Sequence, residues 1–432
     1  MTTSLTIQNP KRDSESRSGN ASWYPYYAGF SPAFARKTIE SAKLHAGASI
    51  GDPWNGSGTT TAVASELGYS TYGYDLNPVM VIAAMARMLN KREKPSLWPL
   101  TVDIVKKAQN ENHSSDNADD PLLTWFNDDT VNYIRRVERA VQLLLIDSDK
   151  YNLLINRGDV NQLSDLAAFF YVAIFRTVRR LMKTFFTSNP TWTKKPRREE
   201  DRLEISFEGV ISAFESEVVL MVSTIMEQPS DITCLHGQAY FETASSESLP
   251  IEAESLDLIL TSPPYCTRID YAVATMPELA VLGYVLKGDF QQLRSNLIGT
   301  STVPRIAPQA KAFWGETCSR FLERLRLHRS KASKSYYYKN HLQYFEAIYN
   351  SIVELRRVLR PGGACVIVIQ DSFYKDIHNN LPQIFIEMAS VNGFQLTHKQ
   401  DFKHNKNIVK INPKTKTYRQ NFIAIESVLC FT

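Results

Sequence analysis

Residues 256–271 constrain the fold more than any other stretch, because a short apolar strand stops there at two consecutive prolines. The first five residues of this stretch form an apolar run that is typical of a buried strand. Pro263 and Pro264 lack backbone donors, and each pushes the residue before it into extended geometry. Ser262 is therefore held rigidly at the carboxyl end of a strand, where open α/β sheets place their ligands. Tyr265 follows and adds a planar face. Taken alone, the four residues are equally compatible with an ordinary strand-ending turn.

Composition indicates a globular chain with a sizeable core. At 432 residues the chain is too long for one ordinary domain, and its hydrophobic content of 43% is enough to bury a sizeable core. A net charge of +4 permits a nucleic-acid partner without requiring one. Five dispersed cysteines without CxxC spacing argue against a disulfide framework and a zinc cluster, so we expect no metal. The longest apolar run is too short to span a bilayer, and we expect a cytoplasmic protein without a membrane partner.

A glycine-rich turn between a strand and a helix is the second rigid feature. It reads DPWNGSGTT from Asp52 onward, and Gly56 and Gly58 let the backbone approach a ligand without a Cβ in the way. The next strand ends in Asp75, at the spacing of about 20 residues typical of the nucleotide site in doubly wound folds. The acid is placed to accept hydrogen bonds from ribose hydroxyls. The turn is not GxGxxG and no Walker lysine follows, which argues against a dinucleotide or a triphosphate.

The alternation of strands and helices predicts an α/β fold with a Rossmann-like doubly wound sheet. Residues 1–90 form the first part of this core, with the glycine turn, and residues 206–432 form the second part. Residues 91–205 lack the alternation and are mainly helical in pattern, so we interpret them as an insertion.

The second part of the core has three further features in sequence. A strand is predicted at residues 232–235 and a turn at residues 236–239. Residues 283–340 are irregular and basic, which favours either a loop that binds a polyanion or an exposed helix. Residues 394–402 and 422–431 predict a closing β-hairpin.

A basic segment of the insertion, residues 192–198, predicts contacts with nucleic acid. Trp192 stands among basic residues, an arrangement suited to phosphate contacts and base stacking. Further basic residues precede it at helical spacing. The alternative interpretation is a solvated basic face. The basic residues of this prediction are Arg176, Arg180, Lys194, Lys195, Arg197 and Arg198.

With DPWNGSGTT, GYDLNP and TSPPY together, the chain resembles the S-adenosylmethionine-dependent amino-methyltransferases of DNA, which modify cytosine N4 or adenine N6. The glycine turn resembles that family's cofactor loop, usually written DPFxGSGTT. TSPPY resembles its catalytic motif, in which Asp, Asn or Ser precedes two prolines and an aromatic residue. The serine form resembles the cytosine-N4 members most closely. The resemblance covers residues 23–90 and 231–432 and leaves out the inserted block.

The resemblance implies roles for individual residues around S-adenosylmethionine. Asp75 would hold the ribose, and the turn residues would face the methionine end. Tyr27 loosely matches the N-terminal motif that packs near the methionine. The alternative interpretation is that the aromatic cluster around it packs on the hydrophobic core. Gln238 stands where the family often has an acid near the adenine. The turn residues in question are Asp52, Pro53, Gly56, Gly58 and Thr59.

The catalytic residues that the resemblance implies are Ser262, Pro263, Pro264 and Tyr265. An exocyclic amine is a poor nucleophile because its lone pair is delocalised into the ring. If its hydrogens bond to the serine hydroxyl and a carbonyl of the proline turn, the nitrogen can pyramidalise and aim its lone pair at the sulfonium methyl group. The tyrosine would stack on a base flipped out of the duplex. No covalent intermediate is required, so we interpret Cys266 as a packing residue.

The predicted function is methylation of cytosine N4 in double-stranded DNA, as in restriction-modification, with adenine N6 as the nearest alternative. The motif order resembles members whose recognition segment lies between the two motifs, which favours DNA recognition by the insertion. An RNA methyltransferase is a second alternative, disfavoured because no appended RNA-binding module is recognisable. A catalytically silent DNA-binding protein is a third, against which the intact motifs argue. Whether a cognate restriction endonuclease acts separately beside the protein is left open.

Overall fold

A seven-stranded sheet forms the centre of the protein. The computed structural model describes residues 5–11, 19–24, 29–111, 119–146, 160–187, 192–225, 237–266, 269–404 and 424–432. The strands in these ranges are β1 Ser49–Asp52, β2 Ser70–Asp75, β3 Ala239–Thr243, β4 Leu256–Thr261, β5 Leu359–Gln370, β6 Ser372–Tyr374, β7 Ile377–Asn379, β8 Leu396–His404 and β9 Ala424–Phe431.

Helices cover the sheet and build the insertion. In the described part of the chain they are α1 Pro32–Ser41, α2 Thr59–Glu66, α3 Pro78–Arg87, α4 Lys94–Asn110, α5 Asp128–Leu145, α6 Asp165–Leu181, α7 Phe207–Ser223, α8 Tyr271–Ala274, α9 Met276–Val281, α10 Asp289–Asn296, α11 Glu316–Leu327, α12 Tyr338–Val358 and α13 Leu381–Val391.

The strand order confirms the predicted Rossmann-like α/β fold. The order is β3-β2-β1-β4-β5-β9-β8, and the pairs from β3 to β5 are parallel. The chain runs outward from β1 to β3 and then returns to the other side of β1 as β4. The two last strands form the predicted antiparallel hairpin at the opposite edge. This reversal between β1 and β4 is the place where such sheets bind ligands.

Helix starts near the sheet follow the capping signals in the sequence. The Ser31 hydroxyl accepts a hydrogen bond from the Phe34 N–H at 3.1 Å, and Pro32 occupies the first turn of α1. In the same way, the Asn77 side chain accepts from the Val79 N–H before α3. Helix α3 is buried almost throughout, because the sheet covers one side and α6 of the insertion packs on another.

The insertion is packed directly onto the core. One continuous apolar cluster contains residues of α3, of the insertion helices α4, α5 and α6, and of α8 and α9. Helix α7, which the sequence assigned to the second part of the core, packs against α4, α5 and α6. The division of the chain at residues 90 and 205 stays a prediction.

The secondary-structure predictions for the second part of the core have different outcomes. The predicted turn at residues 236–239 is wrong at Ala239, which begins β3 and pairs with Thr71 of β2. The strand predicted at residues 232–235 lies outside the described residues. Residues 283–340, predicted to be irregular with an exposed helix as the alternative to a polyanion-binding loop, contain α10 and α11, in agreement with that alternative. Helix α11 forms because its apolar residues fall on one buried face while its charged residues stay exposed.

The described ranges contain neither a helix suited to crossing a membrane nor a cluster of metal-binding side chains. None of the described helices combines the length and the apolar content that crossing a membrane requires. No group of three or more His, Cys, Asp or Glu side chains among these residues is arranged to hold a metal ion.

A buried ion-pair network fastens the insertion to the core. The Arg135 guanidinium of α5 donates to Asp120 at 2.7 Å and to the Ala280 carbonyl of α9 at 2.9 Å. It also pairs with Glu138, and the three charged side chains are at most 14% exposed. Removing one member of such a network leaves an unpaired buried charge.

We therefore expect Arg135→Met to destabilise the protein by about 3–5 kcal/mol, because two buried carboxylates lose their partner. The matched control is Arg320→Met on α11, whose ion pair with Glu316 is exposed and should contribute about 0–1 kcal/mol. Urea unfolding followed by circular dichroism measures both. Equal effects of the two substitutions would contradict a fastening role for Arg135.

Candidate active site

A cleft opens at the carboxyl ends of β1, β2, β3 and β4. Here β1 and β4 lie side by side, although β2, β3 and the insertion separate them in sequence. The cofactor loop and the catalytic turn therefore share one cleft. The predicted site residues that line it are Asp52, Pro53, Thr59, Asp75, Ser262, Pro263, Pro264 and Tyr265.

Asp75 holds the glycine turn that it faces. Its Oδ2 atom accepts a hydrogen bond from the Gly56 N–H at 3.0 Å, and its Oδ1 atom accepts one from the Asn77 N–H at 2.9 Å. Burial raises the pKa of Asp75 to about 6; the two N–H donors oppose this rise and the Asp52 charge adds to it. Asp75 thus shapes the turn and also presents a carboxylate to the cleft.

Gly58 packs the glycine turn against helix α3, and its predicted approach to a ligand stays a prediction. Its φ is +77°, a conformation that favours glycine. A Cβ added there would lie 2.8 Å from the Cβ of Ala84 on α3. Neither Gly58 nor Gly56 is among the residues that line the cleft. The turn can therefore press against α3 only with glycine at this position.

Asp52 joins the cofactor loop to the catalytic strand. Its carboxylate accepts hydrogen bonds from the Thr261 hydroxyl at 2.6 Å, the Thr60 hydroxyl at 2.7 Å and the Trp54 N–H at 3.2 Å. The Thr60 hydroxyl also lies 3.0 Å from the Leu260 carbonyl. Burial raises the pKa of Asp52 to about 6, although its three donors favour the ionised form. The carboxylate predicted to face the methionine end is thus largely used to tie β1 to β4.

Neighbouring elements hold the catalytic turn. The Tyr344 hydroxyl of α12 donates to the Pro264 carbonyl at 3.1 Å. Gly299 lies so close to Tyr265 that a Cβ there would overlap the tyrosine carbonyl. Cys266 is 2% exposed, and its Sγ atom is 3.9 Å from Asn340 Oδ1. This burial agrees with the packing interpretation of the cysteine.

Arg179 of α6, one of several arginines at helical spacing in the sequence, lines the cleft. Its guanidinium makes a bidentate ion pair with the fully buried Glu278 and donates to the Ala274 carbonyl at 2.6 Å. Tyr24 lines the cleft too, and burial beside Glu278 raises its pKa well above the usual value. Arg179 shares its helical spacing with other arginines, so the sequence alone does not distinguish it from them.

Two other predicted cofactor residues have different outcomes. Tyr27 lies outside the described residues, while Gly29 and Phe30 beside it line the cleft. Gln238 lies at the amino end of β3, where its carbonyl accepts from the Thr71 N–H at 2.8 Å. Its predicted place near the adenine is therefore corrected, because the cleft is at the opposite end of the strand. The residues that follow β3 and line the cleft are Ala244, Ser245 and Ser246.

The arginines of α6 are engaged within the protein. Arg176 donates to Glu217 of α7 at 2.7 Å and to the Trp23 carbonyl at 2.9 Å. This corrects its predicted phosphate contact, because its guanidinium is committed to a buried carboxylate. Arg180 pairs with the same Glu217 at 3.2 Å, and its side chain remains 48% exposed.

The basic side chains of the segment at residues 192–198 are exposed, and Lys195 lies close to Arg294. Trp192 is 53% exposed, and the other predicted residues, Lys194, Lys195, Arg197 and Arg198, are exposed as well. Partial desolvation and the nearby Arg294 lower the pKa of Lys195. Arg294 forms an ion pair with Asp270 at 2.8 Å, and the two residues next to Asp270 in sequence line the cleft.

Comparisons with known proteins agree with this geometry. The family model N6_N4_Mtase, described as DNA methylase, matches residues 256–432, which begin at β4 and include the catalytic turn. Type II methyltransferase M.BsoBI of Geobacillus stearothermophilus is 27% identical over 284 residues. Type II methyltransferase M.AvaI is 23% identical over 397 residues, both from a Nostoc species and from Anabaena variabilis. These similarities support the DNA amino-methyltransferase family for this chain.

The two relatives from the DNA amino-methyltransferase family match to different extents. The match with M.BsoBI includes 60% of this chain and 52% of the relative, so the chain spans about half the length of M.BsoBI. The match with M.AvaI includes 87% of this chain and 79% of the relative. The unmatched remainder is shorter than residues 91–205, so the similarity to M.AvaI extends into the insertion.

The raised pKa of Asp52 makes a prediction about stability. The pKa is 3.8 in the ordinary carboxyl and about 6 in the fold, so the folded protein binds this proton more tightly than the unfolded chain does. The contribution to stability from this tighter proton binding is fully present below pH 3.8 and is lost as the pH rises through about 6. At neutral pH, the ionised and buried carboxylate is therefore a cost to folding.

Asp52→Asn removes this cost while its amide can still donate to Thr60, whose own proton can turn to the Leu260 carbonyl. We expect the free energy of unfolding of the variant, relative to the parent, to rise between pH 4 and pH 7 by up to roughly 3 kcal/mol. Asp103→Asn, on the exposed side of α4, is the control and should show no such trend. Urea unfolding at several pH values measures the difference, and a flat profile would contradict the assigned burial cost.

Proposed function

We propose that the protein transfers a methyl group from S-adenosylmethionine to the exocyclic amine of a base flipped out of double-stranded DNA, and that cytosine N4 is the acceptor. The observation that carries the proposal is that Asp75 and the turn from Ser262 to Tyr265 line one cleft at the β1/β4 crossing. The match of residues 256–432 to the DNA methylase family model supports the reaction class, and the structure of the cleft supports the roles below.

Asp75, which already orders the glycine turn, would accept hydrogen bonds from the ribose hydroxyls of the cofactor. The glycine turn, Gly29 and Phe30 would hold its methionine end. Ser245, which follows β3, would lie beside its adenine. The carboxylates in the cleft suit a cofactor that carries a sulfonium charge, because opposite charges compensate each other in a buried site.

The turn positions the target amine for direct displacement. One amine hydrogen bonds to the Ser262 hydroxyl and the other to the Pro263 carbonyl, since the Pro264 carbonyl already accepts from Tyr344. Bound S-adenosylmethionine would supply an electrophilic methyl group on sulfur, and the turn would aim the nitrogen lone pair at that group. The methylated nitrogen loses one proton to water. The protein contributes orientation and electrostatics.

Two side chains favour a flipped cytosine as the substrate. Tyr265 offers an aromatic face at the mouth of the cleft, on which an extruded base can stack. Ser262 accepts a hydrogen bond without placing a negative charge beside the amine. The family's serine form is the one associated with cytosine N4, while adenine N6 is the second candidate.

Double-stranded DNA binds across the mouth of the cleft. The exposed basic residues from Lys194 to Arg198 and the exposed Arg324, Arg329 and Lys334 supply phosphate contacts. The relatives M.BsoBI and M.AvaI carry the name type II methyltransferase. This supports a place in a restriction-modification system.

Ser262→Ala should lower the rate of methyl transfer by about 10–100-fold and leave cofactor affinity nearly unchanged, because the hydroxyl acts mainly as the nitrogen rehybridises. Titration calorimetry with S-adenosylhomocysteine measures the affinity. Mass spectrometry of nucleosides from treated duplex DNA identifies the base. N6-methyladenine without N4-methylcytosine would overturn the choice of base and leave the mechanism standing. No methylated base from the parent protein would overturn the proposal itself.

Replacing Lys194, Lys195, Arg197 and Arg198 by glutamine should weaken DNA binding without changing cofactor affinity. Each lost phosphate contact should reduce the slope of log K against log salt by about 0.9. The control is the pair Lys399→Gln and Lys403→Gln on the edge strand β8. Fluorescence anisotropy with a labelled duplex at several salt concentrations measures the slope. An unchanged slope in the fourfold variant would mark the segment as an ordinary solvated surface.

A further inference from the structure

The two prolines of the catalytic turn cannot be held through backbone donors of their own. Pro263 and Pro264 have no N–H groups, and although Pro264 restricts the ψ of Pro263, no proline follows Pro264 to restrict its ψ. The direction of each carbonyl in the turn depends on ψ. A donor from elsewhere in the fold is therefore needed to fix the carbonyl that follows the second proline.

Helix α12 supplies this donor. The Tyr344 hydroxyl donates to the Pro264 carbonyl at 3.1 Å. One helical turn earlier, the Asn340 amide donates to the Thr300 carbonyl at 2.7 Å, while its oxygen faces Cys266 Sγ at 3.9 Å. Tyr344 is 2% exposed and Asn340 is 3% exposed. Both side chains point from one face of α12 toward the catalytic turn and its neighbouring loop.

The tyrosine triplet that precedes α12 in sequence extends this contact. Tyr336 lies in the π-helical turn Ser333–Tyr337, and its hydroxyl donates to the Ser301 carbonyl at 2.6 Å. Residues 336, 340 and 344 are spaced by four and fall on one helical face. The loop that they hold includes Gly299, which touches the Tyr265 carbonyl. The same face therefore fixes the turn directly and through this loop.

We infer that Tyr344 is a positioning residue for methyl transfer: it turns the Pro264 carbonyl away from the substrate, so that Ser262 and the Pro263 carbonyl remain as the acceptors of the amine. The inference rests on the proposed function. Burial raises the pKa of Tyr344 well above the usual value, so the phenol keeps the proton that it donates at every working pH. Tyr344 does not itself touch the reacting atoms.

Tyr344→Phe tests this role, because it removes one hydroxyl and keeps the buried ring. We expect kcat to fall about tenfold, while the affinities for S-adenosylhomocysteine and for duplex DNA change by less than about twofold. Tyr349→Phe is the matched control: it removes a hydroxyl from the same helix, where the ring packs on Phe313. The control should keep the parent's kcat.

A double-mutant cycle separates positioning from general weakening. If Tyr344 acts through the arrangement of the turn, Tyr344→Phe should lower kcat by a much smaller factor in a Ser262→Ala background than in the parent. Equal costs in both backgrounds would overturn the inference. So would an unchanged kcat, or a loss of kcat that only follows the fraction of protein unfolded in a thermal melt.

Hydrogen exchange gives a readout that does not depend on activity. Tyr344→Phe, but not Tyr349→Phe, should speed amide exchange at Tyr265 and Cys266, because the turn loses its external donor. Unchanged exchange there would overturn the inference even if the enzyme is slow. A parent protein that methylates no base contradicts the proposed function instead, and faster exchange in the variant would then still support the hold of Tyr344 on the turn.

Discussion

The carboxylate of Asp52 connects the two strands on which the site depends. Asp52 is the last residue of β1, and its carboxylate accepts a hydrogen bond at 2.6 Å from the hydroxyl of Thr261, the last residue of β4. The cofactor loop leaves the sheet after the first strand, and the catalytic turn leaves after the second. The backbone pairing of β1 with β4 and this buried hydrogen bond together hold the two halves of the site side by side, and the Thr60 hydroxyl of α2 donates to the same carboxylate.

The site contains energetically costly parts that the surrounding packing supports. Two buried carboxylates have pKa values raised to about 6, and the two prolines of the catalytic turn have no backbone donors. The insertion provides part of the support. Its helix α6 packs on α3 and brings Arg179 to the wall of the cleft, where the arginine pairs with Glu278 of α9. The block predicted to recognise DNA therefore also stabilises the core.

Local signals in the sequence predicted the parts of the fold that local interactions determine. The strand before Ser262, the glycine turn with Asp75, and the Ser31 cap of α1 are confirmed, because each depends on neighbouring residues. Contacts between distant segments could not be predicted in the same way. The pairing of Arg176 with Glu217 and the contact of Tyr344 with Pro264 join residues far apart in sequence. Gln238 was misplaced because the boundary of β3 decides which end of the strand it occupies.

A crystal structure with a non-reactive analogue of S-adenosylmethionine and a short duplex containing a mismatched cytosine tests the account most directly. The account predicts that the ribose hydroxyls lie within hydrogen-bond distance of Asp75. It also predicts that the amine of the extruded base lies within that distance of the Ser262 hydroxyl and the Pro263 carbonyl, with its ring on Tyr265. An analogue bound away from Asp75, or a base amine bonded to the Pro264 carbonyl, would contradict it.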